Sequence, residues 1–225
     1  MFVLRNKDNS AFIIKQQQFP DGTLLLDNGG FDSDSIRSIE WQYENDAEFF
    51  TLMCLRDVYN SPETELYMPY LPHARMDRVK KPSDTFTLKT FCKAINNMNF
   101  KVVRVWDVHS SVSLALLDRV INLPPTTLIY KAMKRASLES SYDIYDSDLI
   151  LFYPDEGVMK RYTELIQHPY AFGIKNRDWS TGKIKDYSIV NKELVKDKVV
   201  LMVDDICSKG GTFKFASEAL IEAGA

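Results

Sequence analysis

The residues best placed to do chemistry run from Lys198 to Thr212, KVVLMVDDICSKGGT. Five apolar residues, Val199 to Val203, end abruptly in two carboxylates, Asp204 and Asp205. Gly210-Gly211-Thr212 follows and opens an amphipathic segment with Phe213, Ala216 and Leu220 on one face and Gly224 as its stop. This spacing predicts a buried strand, a small-residue loop and a helix N-terminus, which together make an anion site. Backbone N–H groups of Ser208, Lys209, Gly210, Gly211 and Thr212 can surround a phosphate. Asp204 and Asp205 can accept hydrogen bonds from the two hydroxyls of a ribose, directly or through Mg²⁺. Neither GxxxxGK[ST] nor GxGxxG occurs, which argues against a Walker-type NTPase.

Four other apolar runs also end in polar residues. Glu65 to Tyr70 leads into Arg75, Met76, Asp77 and Arg78, with Lys80 and Lys81 beyond. Arginines and an aspartate after a strand suit a phosphate-bearing ligand, although the same charges also suit a solvated loop. Lys101 to Val105 ends in Trp106-Asp107-Val108-His109, where His109 reads as a metal ligand, a base or a structural histidine. Asp148 to Tyr153 ends in Pro154-Asp155-Glu156-Gly157. Tyr170 to Ile174 ends in Lys175-Asn176-Arg177. His73 and His168 read as surface residues.

These strand ends need elements to hold them. Short strands are expected over Phe2–Leu4, Phe12–Lys15 and Thr23–Leu26, with Phe19-Pro20-Asp21-Gly22 as a turn. Helical spacing covers Asn45 or Asp46 to Tyr59, with Phe49, Leu52, Met53 and, as a further candidate, Leu55 on its apolar face, and Ser83 to Met98, with Phe91, Ala94, Ile95 and Met98 on its own. Residues 110–138 read as helix in two pieces split at Pro124-Pro125, taken as the domain junction. A helix after Pro154-Asp155 and a strand over Lys183 to Val190 complete the alternation, which indicates α/β architecture with largely parallel sheets. At 225 residues the chain has ample core for one large or two small domains. A net charge of −3 argues against nucleic-acid or membrane binding, because phosphate surfaces need a basic face. Cys54, Cys92 and Cys207 match neither a zinc spacing nor a disulfide scheme and fit a reducing cytoplasm.

The last stretch resembles the phosphoribosyl-binding signature of type I phosphoribosyltransferases and ribose-phosphate pyrophosphokinases. The order of segments across residues 19–224 is similar to the second family. Phe19-Pro20-Asp21-Gly22 resembles its Phe-x-Asp-Gly turn, and Met68-Pro69-Tyr70 through Arg78 its Pro-Tyr-x-x-x-Ala-Arg-Gln-Asp-Arg segment. Asp107-Val108-His109 resembles Asp-Leu-His, Pro154-Asp155 resembles Pro-Asp-x-Gly, and Lys175-Asn176-Arg177 resembles Lys-x-Arg. A phosphoribosyltransferase would account for the last stretch alone.

The resemblance implies two similar type I phosphoribosyltransferase-like domains with mainly parallel central sheets. Residues 1–123 would form the ATP and metal side, and residues 124–225 would carry the ribose-phosphate loop. It implies Mg²⁺-dependent transfer of the β,γ-diphosphoryl group of ATP to ribose 5-phosphate in a cytoplasmic homodimer or higher oligomer. By resemblance His109 and Asp155 hold Mg²⁺. Arg75, Met76, Asp77 and Arg78, with Asp21 and Gly22 from a neighbouring subunit, hold ATP. Lys175 and Arg177 act on the transferring group. Asp204, Asp205 and Ser208 to Thr212 take the ribose phosphate.

Three features depart from the family's pattern. Ser208-Lys209 stands where Asp-Thr is usual, shifting local charge by about +2 and motivating a larger acceptor such as ADP-ribose. Met76 replaces Gln, and Thr23 stands where an acid is common. A long first helix before the Phe-x-Asp-Gly turn and strands after Gly224 are expected but missing, which reads as a compact or truncated member. A catalytically silent nucleotide-binding homologue is the alternative from another class.

Overall fold

The computed structural model describes residues 1–140, 148–177 and 184–225, with the side chains of 137–140, 175–177 and 184–186 outside that description. Two compact units divide the chain, Met1–Pro124 and Pro125–Ala225.

In the first unit the elements are β1 (Phe2–Asn6), β2 (Ala11–Ile13), β3 (Lys15–Gln18), β4 (Leu24–Asp27), β5 (Ile36–Trp41), α1 (Glu48–Val58), β6 (Glu65–Met68), α2 (Thr87–Asn97), β7 (Val103–Trp106), α3 (Ser111–Leu116) and β8 (Val120–Leu123). Strands β5, β6, β7 and β8 run parallel, and β1 and β2 add antiparallel at the β5 edge. Leu66, Met68, Val103 and Val105 point into a core with Ile39, Trp41, Leu52, Leu55, Phe91 and Ile95. The opposite face carries ion pairs, Arg5 Nη2 to Glu40 at 2.9 Å and Arg104 Nε to Glu65 at 2.7 Å. Parallel strands are usually apolar on both faces, and here they alternate instead.

That alternation explains two differences from the sequence reading. β5, IRSIEW, interleaves Arg37 and Glu40 with Ile36, Ile39 and Trp41 and carries no run of apolar residues, so it passes for loop. β8 lies inside the stretch expected to be helical, after α3 ends at Leu116. The first helix also turns a different face inward. Leu52 and Leu55 are buried as expected, but Glu48, Thr51 and Arg56 join them, while Met53 is 45% exposed.

Arg56 closes this unit from below. Its guanidinium donates to the carbonyls of Tyr59 at 2.6 Å, Met98 at 2.8 Å, and Ser61 and Asn99 at 3.0 Å, and lies 4.9 Å over the Phe100 ring. A cation among carbonyls at the C-terminal ends of α1 and α2 satisfies acceptors that helix geometry leaves unpaired and complements both helix dipoles.

In the second unit α4 (Thr126–Ser140), β9 (Leu149–Tyr153), α5 (Glu156–Thr163), β10 (Tyr170–Arg177), β11 (Ile184–Val190), β12 (Val199–Met202) and α6 (Gly211–Glu222) build a sheet of order β11-β10-β9-β12. β9 runs parallel to both β10 and β12, and β11 returns antiparallel. Every residue of β9 is buried. Leu149, Leu151 and Tyr153 pack on one side with Ile129, Met133, Val158 and Tyr162. Ile150 and Phe152 pack on the other with Ala171, Val195, Ala216 and Leu220. The mixed α/β architecture with parallel-dominated sheets is the one expected from the sequence.

Replacing Arg56 with Leu keeps most of the buried volume but strands several carbonyls without donors. An Arg56→Leu variant is expected to lose about 3 kcal/mol of stability in urea unfolding, with no change in the unfolding slope.

Candidate active site

In the second unit three carboxylates gather at the ends of two neighbouring parallel strands, the inner strand β9 and the edge strand β12. Asp155 follows β9 and caps α5, its Oδ1 accepting from the Val158 amide at 3.1 Å. Asp204 and Asp205 follow β12, and Asp204 Oδ1 accepts from the Asp205 amide at 2.9 Å. The Asp205 side chain is only 3% exposed and is gripped by Arg161 of α5, whose Nη2 and Nη1 lie 3.3 and 3.4 Å from its two oxygens. Burial, then the hydrogen bond and charge of Asp205, then the charge of Asp155 push the Asp204 carboxyl up to about 7. Crowded carboxylates resist losing all their protons together. A cation or a diol arriving there would relieve that cost.

The loop beyond Asp205 is open. Cys207, Ser208 and Lys209 are exposed, and Gly210 adopts a left-handed φ of 71° as the residue before α6. It offers no side chain to cap the helix, so the first amides of α6 are left to other acceptors. A Cβ on Gly210 or Gly211 would meet nothing within 4 Å, and backbone and ligand can approach closely. Lys175 and Arg177 belong to β10 by backbone, and their side chains lie outside the described residues.

In the first unit the candidate nucleotide residues follow β6. Arg75 and Arg78 are exposed, Met76 and Asp77 are half-buried, and Asp77 Oδ1 lies 3.3 Å from Arg78 Nε. Ala74 is buried and anchors the loop. His109, exposed, follows the neighbouring strand β7, and Asp107 before it has a φ of 41°. Both loops therefore leave the C-terminal edge of parallel strands, where ligands of such sheets bind. Asp21 and Gly22 sit apart, on the turn of the β3–β4 hairpin. There the Asp21 carboxylate accepts from the Thr23 hydroxyl at 2.7 Å and is lowered by it. His109 and Asp155, paired as metal ligands by the sequence reading, belong to different units.

Two histidines are placed differently from the surface positions expected. His73 has a φ of 63°, stacks 5.3 Å from Phe91 and lies 3.1 Å from the Asp46 carboxylate. His168 is half-buried, its Nε2 2.7 Å from the Leu149 carbonyl. Both do local structural work. Arg161 is the site residue that sequence reasoning missed. Its one signal is a basic residue in the last turn of a helix that starts at a strand-end acid, and that signal does not point 44 residues ahead to Asp205.

No protein-family model matches the chain. A ribose-phosphate pyrophosphokinase from Thermococcus kodakarensis is 24% identical over 229 residues, covering 99% of this chain and 77% of that protein. One from Sulfurisphaera tokodaii is 29% identical, covering 94% of this chain and 72% of its relative. Among solved structures, phosphoribosylpyrophosphate synthetase from Mycobacterium smegmatis shares the fold with a TM-score of 0.73 at 18% identity, over 97% of this chain and 71% of that one. Among the described residues no helix is long and apolar enough to cross a membrane. Along almost its whole length the chain is similar to proteins named ribose-phosphate pyrophosphokinase, and it shares the fold of a phosphoribosylpyrophosphate synthetase.

Proposed function

We propose that the chain transfers the β,γ-diphosphoryl group of ATP to the anomeric hydroxyl of ribose 5-phosphate, giving 5-phosphoribosyl 1-diphosphate and AMP. The anomeric oxygen attacks the β-phosphorus, the bridge to the α-phosphorus breaks, and the hydroxyl proton passes to water. The observation that carries this reading is the β12–loop–α6 unit, where a carboxylate pair and an uncapped helix start adjoin on one short loop. The names of the relatives support the coarser part of this reading, pyrophosphoryl transfer to a ribose phosphate.

Each site residue is then given a task in this proposal. Asp204 and Asp205 accept from the ribose hydroxyls, with Arg161 fixing the Asp205 plane. Amides from Ser208 to Thr212 hold the 5′-phosphate, and Gly210 and Gly211 keep side chains out of its way. Arg75, Met76, Asp77 and Arg78 hold ATP together with Asp21 and Gly22 of a neighbouring subunit, which makes the working form a homodimer or larger. Lys175 and Arg177 place positive charge on the transferring group, where charge stabilisation does most of the work.

The acids suit Mg²⁺ carried in with phosphate better than a resident ion. Among the described residues no three His, Cys, Asp or Glu side chains form a cage, and Asp205 is already bonded to Arg161. Mg²⁺ commonly takes one or two protein carboxylates and completes its shell with water and phosphate oxygens. Asp155 in the second unit would hold it, His109 being the first unit's own candidate ligand, and it would supply neutralisation of phosphate charge. Free thiols at Cys54, Cys92 and Cys207 fit work in a reducing cytoplasm.

A second acceptor is favoured by the loop itself. Lys209 is exposed beside open space over Gly210 and Gly211, which suits a 5′-diphosphate as in ADP-ribose. Ribose 5-phosphate or ADP-ribose, each with ATP and Mg²⁺, should be tested by following AMP. AMP is expected with ribose 5-phosphate. Release with ADP-ribose alone replaces the first acceptor by the second, and release with neither leaves a silent homologue. Lys175→Ala is expected to lower kcat by about 100-fold at unchanged melting temperature.

Asp204 also predicts a pH effect. The folded chain keeps its proton up to about pH 7, whereas the unfolded chain releases it near 4, so its ionisation removes stability as pH rises through that window. Asp204→Asn is expected to gain about 1–2 kcal/mol at pH 8 after solvent screening, measured by thermal melts without metal or substrate. The gain should vanish by pH 4.

A further inference from the structure

β11 returns beside β10 with Lys175 opposite Tyr187, and two residues away along β10 stands Gly173. The Tyr187 ring crosses β10 over Gly173, and its hydroxyl donates to the Pro154 carbonyl at 3.0 Å. A Cβ on Gly173 would collide with that hydroxyl and stand 2.9 Å from the Pro154 oxygen. Gly173 has an ordinary strand conformation, so what requires glycine here is space. Hydroxyl and notch are two halves of one contact.

The contact joins three pieces that the proposed chemistry needs in one frame. Pro154 ends β9 and hands over to Asp155, the N-cap of α5. β10 carries Lys175 and Arg177 toward the far end of the hairpin. The Asp155 and Asp204 carboxylates are both close enough to act electrostatically on the Tyr187 phenol, and together with burial they hold it protonated as a donor. No backbone ladder links β11 to β9, because β10 lies between them. Tyr187 spans that gap with a side chain.

We propose that Tyr187, seated in the notch at Gly173, is a positioning residue that locks the β10–β11 hairpin to the Pro154-Asp155 end of β9. The inference deepens the proposed diphosphoryl transfer and rests on it for its kinetic consequence. With the lock in place the backbone of Lys175 is held in one register relative to Asp155. Without it the hairpin keeps its own hydrogen bonds but shifts against the acids, and effective positioning is lost at little cost to folding.

Three variants of the full chain test this: Tyr187→Phe, Gly173→Ala, and Gly173→Ala combined with Tyr187→Ala. Hydrogen exchange provides a readout that does not depend on activity. Tyr187→Phe is expected to speed exchange at least about 5-fold at the amides of β10 and at the start of α5, leaving the β5–β8 sheet unchanged. Gly173→Ala should do the same, and adding Tyr187→Ala to it should cost nothing further, as for two groups that share one contact. Unchanged exchange at the start of α5 in Tyr187→Phe, or additive effects in the double variant, overturns the lock.

Kinetics provide the second readout. Tyr187→Phe is expected to lower kcat for AMP release about 10-fold while KM for ribose 5-phosphate stays within about 2-fold and the melting temperature holds. A rise in KM at constant kcat, or an equal loss traced to lower stability, assigns Tyr187 a structural role and overturns the positioning role. If the unaltered chain releases no AMP, the proposed reaction fails, and the exchange experiment alone decides whether the lock exists.

Discussion

β9 is the strand on which the second unit depends. All five residues from Leu149 to Tyr153 are buried, odd positions against α4 and α5 and even positions against α6. A strand covered on both faces has no room for a polar side chain along its length. Polar groups must therefore wait for its end, and Pro154-Asp155 is where they begin. The neighbouring strand β12 ends level with it, since Met202 pairs with Phe152. Parallel pairing of the half-buried β12 with the buried β9 thus brings Asp155, Asp204 and Asp205 together without any direct attraction between them.

The same constraint decides how much of the protein could be read from its sequence. Where strands are apolar on both faces, as the buried β9 and the half-buried edge strand β12 are, an apolar run followed by acids marks both the strand and the site. In the first unit one sheet face is salt-bridged and exposed, and that signal fades. β5 was missed because Arg37 and Glu40 interrupt it, although it is the strand that joins the antiparallel edge to the parallel core. β8 was absorbed into a helix because Val120 to Leu123 is short and follows α3 after only a brief turn. Site residues that follow strands were found. Arg161 and Tyr187 were not, because their roles come from contacts made 44 and 33 residues away, which no local spacing encodes.

Arg56 and Asp205 show how the chain deals with buried charge in two settings. Arg56 is held by four carbonyls at two helix ends, so partial charges take the part of a counter-ion. Burial lowers its pKa, yet a guanidinium starts so high that it stays charged. Asp205 is met by a full opposite charge in a two-pronged bond. The first arrangement stabilises a fold. The second orients one oxygen pair while its neighbour Asp204 remains poorly satisfied.

That difference between adjacent aspartates is informative. If the pair existed only to stabilise the β12–α6 turn, a smaller polar residue at position 204 would cost less than a carboxylate driven toward neutrality by burial and then by two other acids. The turn itself needs only an acceptor for the Asp205 amide, which an asparagine would supply equally well. Asp204 is thus poorly served from within the chain, which accords with the proposed role toward a ligand. A sugar diol or a hard cation would fill that role, and the uncapped start of α6 on the far side of the loop asks for the opposite sign of charge. The ribose 5-phosphate proposed as acceptor would meet both at once.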